Sequence, residues 1–239
     1  MKCLTFYYTF NQTQMKNLFL STILLLSSLA AMAQMTEGHI AYKIDITTDN
    51  PDMQMVVGMM QGSTMDVYFK DKTTRSEMKM GSMMNITTLT NESTKDVLML
   101  MSGMIGQNAI KTTLTELDEQ KTTEENPFTV DLVDETKVIE GYTCNKAILT
   151  SEEGLESVFW YTQDINVSKK GQSYLNDQVP GFPMQFELNN GPMKMSMTVS
   201  KIDKTLDKKK SATLFDMTIP EGYKEMTMEE LQSMGSMGM

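Results

Sequence analysis

The chain has 239 residues, 26 of them methionine, with a formal net charge of −10 and a single histidine. An acidic chain lacks the basic patches that draw nucleic acid or an anionic membrane surface, so neither is expected as a partner. One histidine leaves little material for Ser-His-Asp or Cys-His catalysis.

In chain order, the first signal is for export. Lys16 precedes the apolar run Leu18-Phe19-Leu20, which continues through Ile23, Leu24, Leu25 and Leu26 and closes on Ala31-Met32-Ala33. The run is short and broken by Ser21, Thr22, Ser27 and Ser28, which predicts a signal peptide cleaved before Gln34 rather than a membrane span. Residues 1–14 read as an upstream extension, with Met15-Lys16 the expected start. Cys3 precedes the apolar run and so is not a lipidated cysteine at the cleavage site. The expected localisation is periplasmic or secreted. Cleavage removes Lys2 and Lys16 and no acid, taking the net charge from −10 to −12. It leaves Cys144 as the one cysteine, so no intramolecular disulfide can form. Residues 34–225 are expected to form one β-rich domain, and residues 226–239 a short helix with a disordered Met-rich tail.

Beyond residue 34, strand signals dominate. Ile40, Tyr42, Ile44 and Ile46 alternate with Ala41, Lys43 and Asp45, which predicts a half-buried strand. Asn50 and Pro51 then open a helix spanning residues 49–61, with Met55, Val56, Met59 and Met60 near one face. Met65, Val67 and Phe69 alternate with Asp66 and Lys70, and Met78 and Met80 flank Lys79. His39 sits close to the cleavage site and is expected to be mobile or on an edge strand. Leu100 to Ile110 is ambiguous because Gly103 and Gly106 weaken both helix and strand, and Leu117 to Asn126 reads as a loop. Phe128, Val130 and Leu132 form the next alternating run. Cys144 beside the following strand reads as a small buried hydrophobe. Val158-Phe159-Trp160-Tyr161 is apolar on both faces and must be covered on both, with the residue 49–61 helix the expected cover for one. Met184, Phe186 and Leu188 lead through Asn189-Asn190-Gly191-Pro192 to Met193, Met195 and Met197, a predicted hairpin. Lys208-Lys209-Lys210 reads as a solvated turn, and Thr227 with Glu230 as a capping box opening a helix through Leu231. The Met234 to Met239 tail should fray.

These elements predict a mainly β fold, a curved antiparallel sheet or incomplete barrel with one or two covering helices. Thioether side chains are flexible and polarizable, so a Met-lined face adapts to varied apolar partners. The expected function is therefore non-enzymatic binding of an apolar small molecule or lipid. The expected lining is Met65, Val67, Phe69, Met78, Met80, Phe186, Met193, Met195 and Met197 on strands, with Met55, Met59 and Met60 from the helix. No cofactor and no dedicated metal site are expected. Two alternatives stay open. Thioethers are soft ligands for Cu(I), and Met78–Met80, Met193–Met195 and the tail Met234, Met237 and Met239 have suitable spacing. The same residues also suit a plain core in a protein that acts through partners.

Three stretches carry a family resemblance. They are Gly38-His39-Ile40-Ala41-Tyr42-Lys43-Ile44, then Gly141-Tyr142-Thr143-Cys144-Asn145-Lys146-Ala147 with Trp160-Tyr161-Thr162, then Gly181-Phe182-Pro183-Met184 followed by Met193 to Thr198 and Phe215 to Tyr223. Together they resemble the exported domain-of-unknown-function family 4412, which implies no activity. The middle pieces also resemble a second exported family named for a Gly-Leu-Pro-Gly-Leu-Ile motif, which here is replaced by Pro180-Gly181-Phe182-Pro183. More distantly the pattern is similar to LolA/LolB-like lipoprotein carriers. That likeness implies an incomplete barrel holding acyl chains under a helical lid, and an outer-membrane or lipoprotein partner.

Overall fold

Alternating apolar and polar residues build a twelve-stranded sheet in the computed structural model, counted among the described residues. Those are residues 35–104, 106–121, 128–167, 178–190, 192–207 and 213–236. The chain divides into Met1–Gln34 and Met35–Met239, and the described residues belong to the second unit. The predicted signal peptide, the Lys208–Lys210 turn and the last three tail residues lie outside them.

The strands are β1 (Glu37–Thr48), β2 (Thr64–Lys70), β3 (Thr73–Met80), β4 (Met84–Asn91), β5 (Asp96–Gly103), β6 (Asn108–Thr113), β7 (Thr129–Ile139), β8 (Tyr142–Thr150), β9 (Glu156–Thr162), β10 (Phe182–Asn190), β11 (Met193–Asp203) and β12 (Lys224–Glu225). Their spatial order is β12-β6-β5-β4-β3-β2-β1-β11-β10-β9-β8-β7. Two antiparallel meanders, β1 to β6 and β7 to β11, are thus joined where β1 pairs with β11. Only the two-residue β12 runs parallel to its neighbour, β6. Short turns enforce the meander. Glu140 and Gly141, with φ of 49° and 82°, connect β7 to β8 as a two-residue turn of the left-handed type that matches strand twist.

Chain length forces this sheet to curl. β6 and β7 lie ten inter-strand steps apart, about 48 Å in a flat sheet. Residues 114–128 join them, and helix α2 (Leu114–Lys121) takes up eight of these at about 1.5 Å each, so the segment reaches only about 36 Å even with the rest extended. The strands must coil back on themselves, as an incomplete barrel does. The core agrees: Ile40, Tyr42 and Ile44 of β1, Met65 and Val67 of β2, Ala147 and Leu149 of β8 and Phe186 of β10 belong to one buried cluster. Tyr42 is anchored in it, donating its hydroxyl to the Pro183 carbonyl at 2.6 Å.

The helices differ from expectation in extent. Asn50 caps a 3-10 turn, Pro51–Met53, by accepting the Asp52 N–H at 3.0 Å. It leads into α1 (Gln54–Met59), which packs on β1 and buries Val57. The helix stops there, and Gly62 turns the chain at φ 74°. Residues 117–121, expected in a loop, are instead helical, because Thr113 and Glu116 form a capping box that starts α2. Glu116 accepts from the Thr112 hydroxyl and the Thr113 N–H, and its own N–H donates to Thr113 Oγ1. These bonds hold the Glu116 carboxyl below its ordinary range. Thr227 and Glu230 form the second box and open α3 (Met228–Ser236), which extends past Leu231 to Ser236. The ambiguous stretch resolves into β5, a turn, and β6.

The C-terminal segment clasps the sheet edge. Met217, Ile219 and Tyr223 pack on Leu89, Leu98, Leu100 and Ala109 on one face. β12 crosses beside β6, and Met226, Met228 and Leu231 then pack near Met101 and Ile110 on the other. Among the described residues no helix is long and apolar enough to cross a membrane.

Candidate functional site

Strand register places the expected lining on a single face. Met197 lies opposite Ile44 and Phe186, Met195 opposite Ile46, and Met193 opposite Thr48. Met65 lies between Tyr42 and Met78, with Val67 and Phe69 following at period two. Met80 faces Met84, one step beyond the Met78–Ile86 pair. Side chains opposite one another in a ladder share a face, so all nine strand residues do. Their surroundings differ. Met65, Val67, Phe69, Phe186 and Met197 are sealed in the core. Met60, Met78, Met193 and Met195 are half-buried against it. Met80 is half-buried in the β3–β4 hairpin, and Met55 and Met59 face solvent.

The strand ends gather further methionines at one rim. The end of β1, α1, the β3–β4 hairpin, the β5–β6 turn and the start of β11 meet there. Ser82 N–H donates to the Met59 carbonyl at 3.1 Å, and Met104 N–H donates to the Met83 carbonyl at 3.1 Å. Gly81, at φ 53°, approaches α1 so closely that a Cβ would lie 2.0 Å from the Met59 carbonyl oxygen. Met53, Met60, Met80, Met83 and Met84 are half-buried in this rim, while Met55 (79% exposed), Met104 (74%) and Met59 (39%) stand out of it. Met83, Met84 and Met104 are not among the twelve residues expected from strand and helix periodicity. Met84 opens β4 opposite Met80, while for Met83 and Met104 the signal is chemical: methionine in a glycine turn, as in Gly81-Ser82-Met83 and Gly103-Met104, has no strand core to explain it.

Around β1 and β2 the opposite face is polar, whereas at β4 to β6 it carries the cluster of Leu89, Leu98, Leu100 and Ala109. His39 is neither mobile nor on an edge. It stands on β1 in the middle of the sheet, paired with Tyr68 of β2 and Asp203 of β11. Its Nε2 lies 2.7 Å from Asp66 Oδ1 and its Nδ1 3.1 Å from Asp203 Oδ2, and its ring stacks on Tyr68 at 4.4 Å. Burial and the Asp66 charge push the Tyr68 hydroxyl above its ordinary range. Both imidazole nitrogens are therefore occupied by carboxylates, which leaves neither facing a nucleophile. Cys144 is fully buried, and burial pushes its thiol up, so the reactive thiolate is disfavoured. On the second face of the β9 apolar run Trp160 meets lysine side chains rather than a helix: the Lys137 and Lys146 Nζ atoms lie over its ring, at 4.1 and 5.5 Å from the centroid.

A cleft of about 820 Å³ opens between α2 and α3, where Glu116, Glu119, Glu225, Glu229 and Glu230 line it beside Ile110, Met226 and Met228. The five carboxylates disfavour an apolar ligand there. Among the described residues no group of three or more His, Cys, Asp or Glu is arranged to hold a metal. The Met237 and Met239 thioethers lie outside them, as does the Met234 side chain.

The family model described as Domain of unknown function (DUF4412) matches residues 51–170. No curated protein matches the chain. Among solved structures, PNGF-II aligns at TM-score 0.48 and 16% identity over 83% of this chain and 32% of its own. The chain thus spans about a third of PNGF-II. An uncharacterized conserved protein from Thermus thermophilus aligns at 0.46 and 11% over 87% and 99%. The LolA superfamily protein NE2245 from Nitrosomonas europaea aligns at 0.23 and 8% over 77% and 91%. Each stays below the similarity that would transfer a function.

Proposed function

From the premise that this chain belongs to the DUF4412 family, whose description assigns no activity, we propose that it is an exported, non-enzymatic protein that binds an apolar ligand at its methionine rim. A lipid or a lipoprotein acyl chain is the ligand class, and an outer-membrane or lipoprotein partner would deliver it. The observation that carries the reading is the exposure of Met55, Met59 and Met104 at the open end of a continuous apolar face. Exposed large apolar side chains grouped at one place mark an interaction site more often than scattered ones do. The sealed residues Met65, Val67, Phe69, Phe186 and Met197 form the floor, and the half-buried Met60, Met78, Met80, Met193 and Met195 form the step between floor and rim. Thioether flexibility lets such a surface fit chains of varied shape. The engagement of His39 by two carboxylates and the burial of Cys144 support the non-enzymatic part. The Lys16 to Ala33 sequence supports export to the periplasm or beyond.

The test is displacement of a fluorescent fatty-acid probe from the purified protein, with Cu(I) competition run beside it. Saturable probe binding, weakened by Met59→Asp or Met80→Asp because a buried unpaired carboxylate is unfavourable, is the expected result. No probe binding, together with Cu(I) binding, would replace this reading with a thioether metal site.

A further inference from the structure

We infer that the methionine rim is a redox-gated surface: oxidation of Met55, Met59 and Met104 to sulfoxides closes it to apolar ligands while the core beneath is spared. This regulation rests on the proposed apolar-ligand reading. Exposure divides the thioethers sharply. Met55, Met104 and Met59 are 79%, 74% and 39% exposed, whereas Met65, Met184 and Met197 are 0% exposed. A two-electron oxidant such as a peroxide can reach the first group and not the second.

The chemistry is complete with peroxide as co-reactant. A sulfur lone pair attacks one peroxide oxygen, the O–O bond breaks, an S–O bond forms, and the departing hydroxide takes the proton of the new S–OH group and leaves as water. Sulfur is oxidised by two electrons and the peroxide is reduced by two. The product is a polar, chiral side chain where an apolar one stood, and it is reversible by sulfoxide reductases.

Met59 and Met104 are linked through the β3–β4 hairpin, and Met55 lies one helical turn before Met59 on α1. Ser82 N–H ties the β3–β4 hairpin to Met59 at 3.1 Å, and Met104 N–H ties the β5–β6 turn to Met83 at 3.1 Å. Sulfoxide dipoles at Met55, Met59 and Met104 therefore fall on one connected rim. There they remain solvated in the free protein and must be desolvated when a ligand lies across them. The cost falls on binding, not on folding.

The experiment treats the full-length exported protein with hydrogen peroxide, maps added oxygen by peptide mass, and titrates the fluorescent fatty-acid probe before and after. Among the methionines with described side chains, oxygen is expected first at Met55, Met104 and Met59, and probe affinity should fall by roughly tenfold or more, the cost of desolvating polar groups without partners. The triple variant Met55→Leu, Met59→Leu, Met104→Leu, compared with its own untreated form, should lose less than about twofold, since leucine is close in volume and cannot take up oxygen. Uniform oxidation of Met65, Met184 and Met197 alongside the rim overturns the inference. So does wild-type affinity that survives treatment, or a triple variant that loses as much as the wild type. Failure of the untreated wild type to bind the probe removes the ligand reading and this inference with it.

Discussion

Met197→Ala and Met55→Ala are the same chemical change at the two extremes of this fold. Met197 is fully buried, opposite Ile44 on one strand and Phe186 on the other, and Phe186 stacks on Phe159 at 5.3 Å between centroids. Truncation removes three heavy atoms from a site whose walls belong to ladder-bonded strands that cannot close in. The expected cost is about 2–5 kcal/mol, towards the upper end because collapse is blocked. For a domain of about 200 residues, that lowers Tm by roughly 5–15 °C. Met55 is 79% exposed on α1, and alanine is the better helix former, so its change should stay within about 0.5 kcal/mol. Urea unfolding followed by fluorescence of Trp160, the single tryptophan, reads both. The slope against denaturant should not change. A cost for Met197→Ala below about 1 kcal/mol at unchanged slope would refute the packed core and mean that this face opens onto a cavity.

Two further perturbations probe the polar face and the rim. The Asp203 carboxyl is held below its ordinary range, first by the hydrogen bond from Lys201 and then by that from His39. A depressed carboxylate contributes stability above its unfolded pKa and loses it as pH falls through its folded one. Asp203→Asn should therefore flatten the loss of urea resistance below about pH 4, only slightly, since the side chain is 39% exposed. An acid limb as steep as the wild type's would show that the pair with His39 adds nothing. Gly81→Ala should cost clearly more than Gly141→Ala. Both have positive φ, worth about 1–2 kcal/mol each, but only at Gly81 would the new Cβ collide, with the Met59 carbonyl, while Gly141 faces open space. Equal thermal shifts would contradict the close approach of the hairpin to α1.

Much of the secondary structure was decided by the sequence alone, because strand alternation and capping chemistry are local. Ile40 to Ile46 and the hairpin from Met184 to Met197 follow their period-two patterns, whereas the run from Phe128 to Leu132 gives a strand whose burial does not alternate, with Leu132 60% exposed before the register shift between Val133 and Thr136. The Thr227–Glu230 box marks α3 without reference to any distant residue. The identical box at Thr113–Glu116 is harder to see, because Leu117 to Asn126 lacks the apolar periodicity that marks a helix. Parity along each strand puts the lining residues of that strand on one face, but that all nine share a common face depends on the register between strands. Which strands neighbour which is not local. That β1 lies against β11 rather than closing on β6 depends on burial summed over the whole sheet, and it carries the consequences that matter most for function. It puts His39 between Asp66 and Asp203, where its closeness to the N-terminal end of the domain pointed to an edge. It turns five of the twelve expected lining residues into sealed core, since a sheet that curls buries the middle of its concave face first and its ends last. The hairpin register of β3, β4 and β5, by contrast, sets the β3–β4 turn beside α1 and Met104 beside Met83, a meeting of segments more than 20 residues apart.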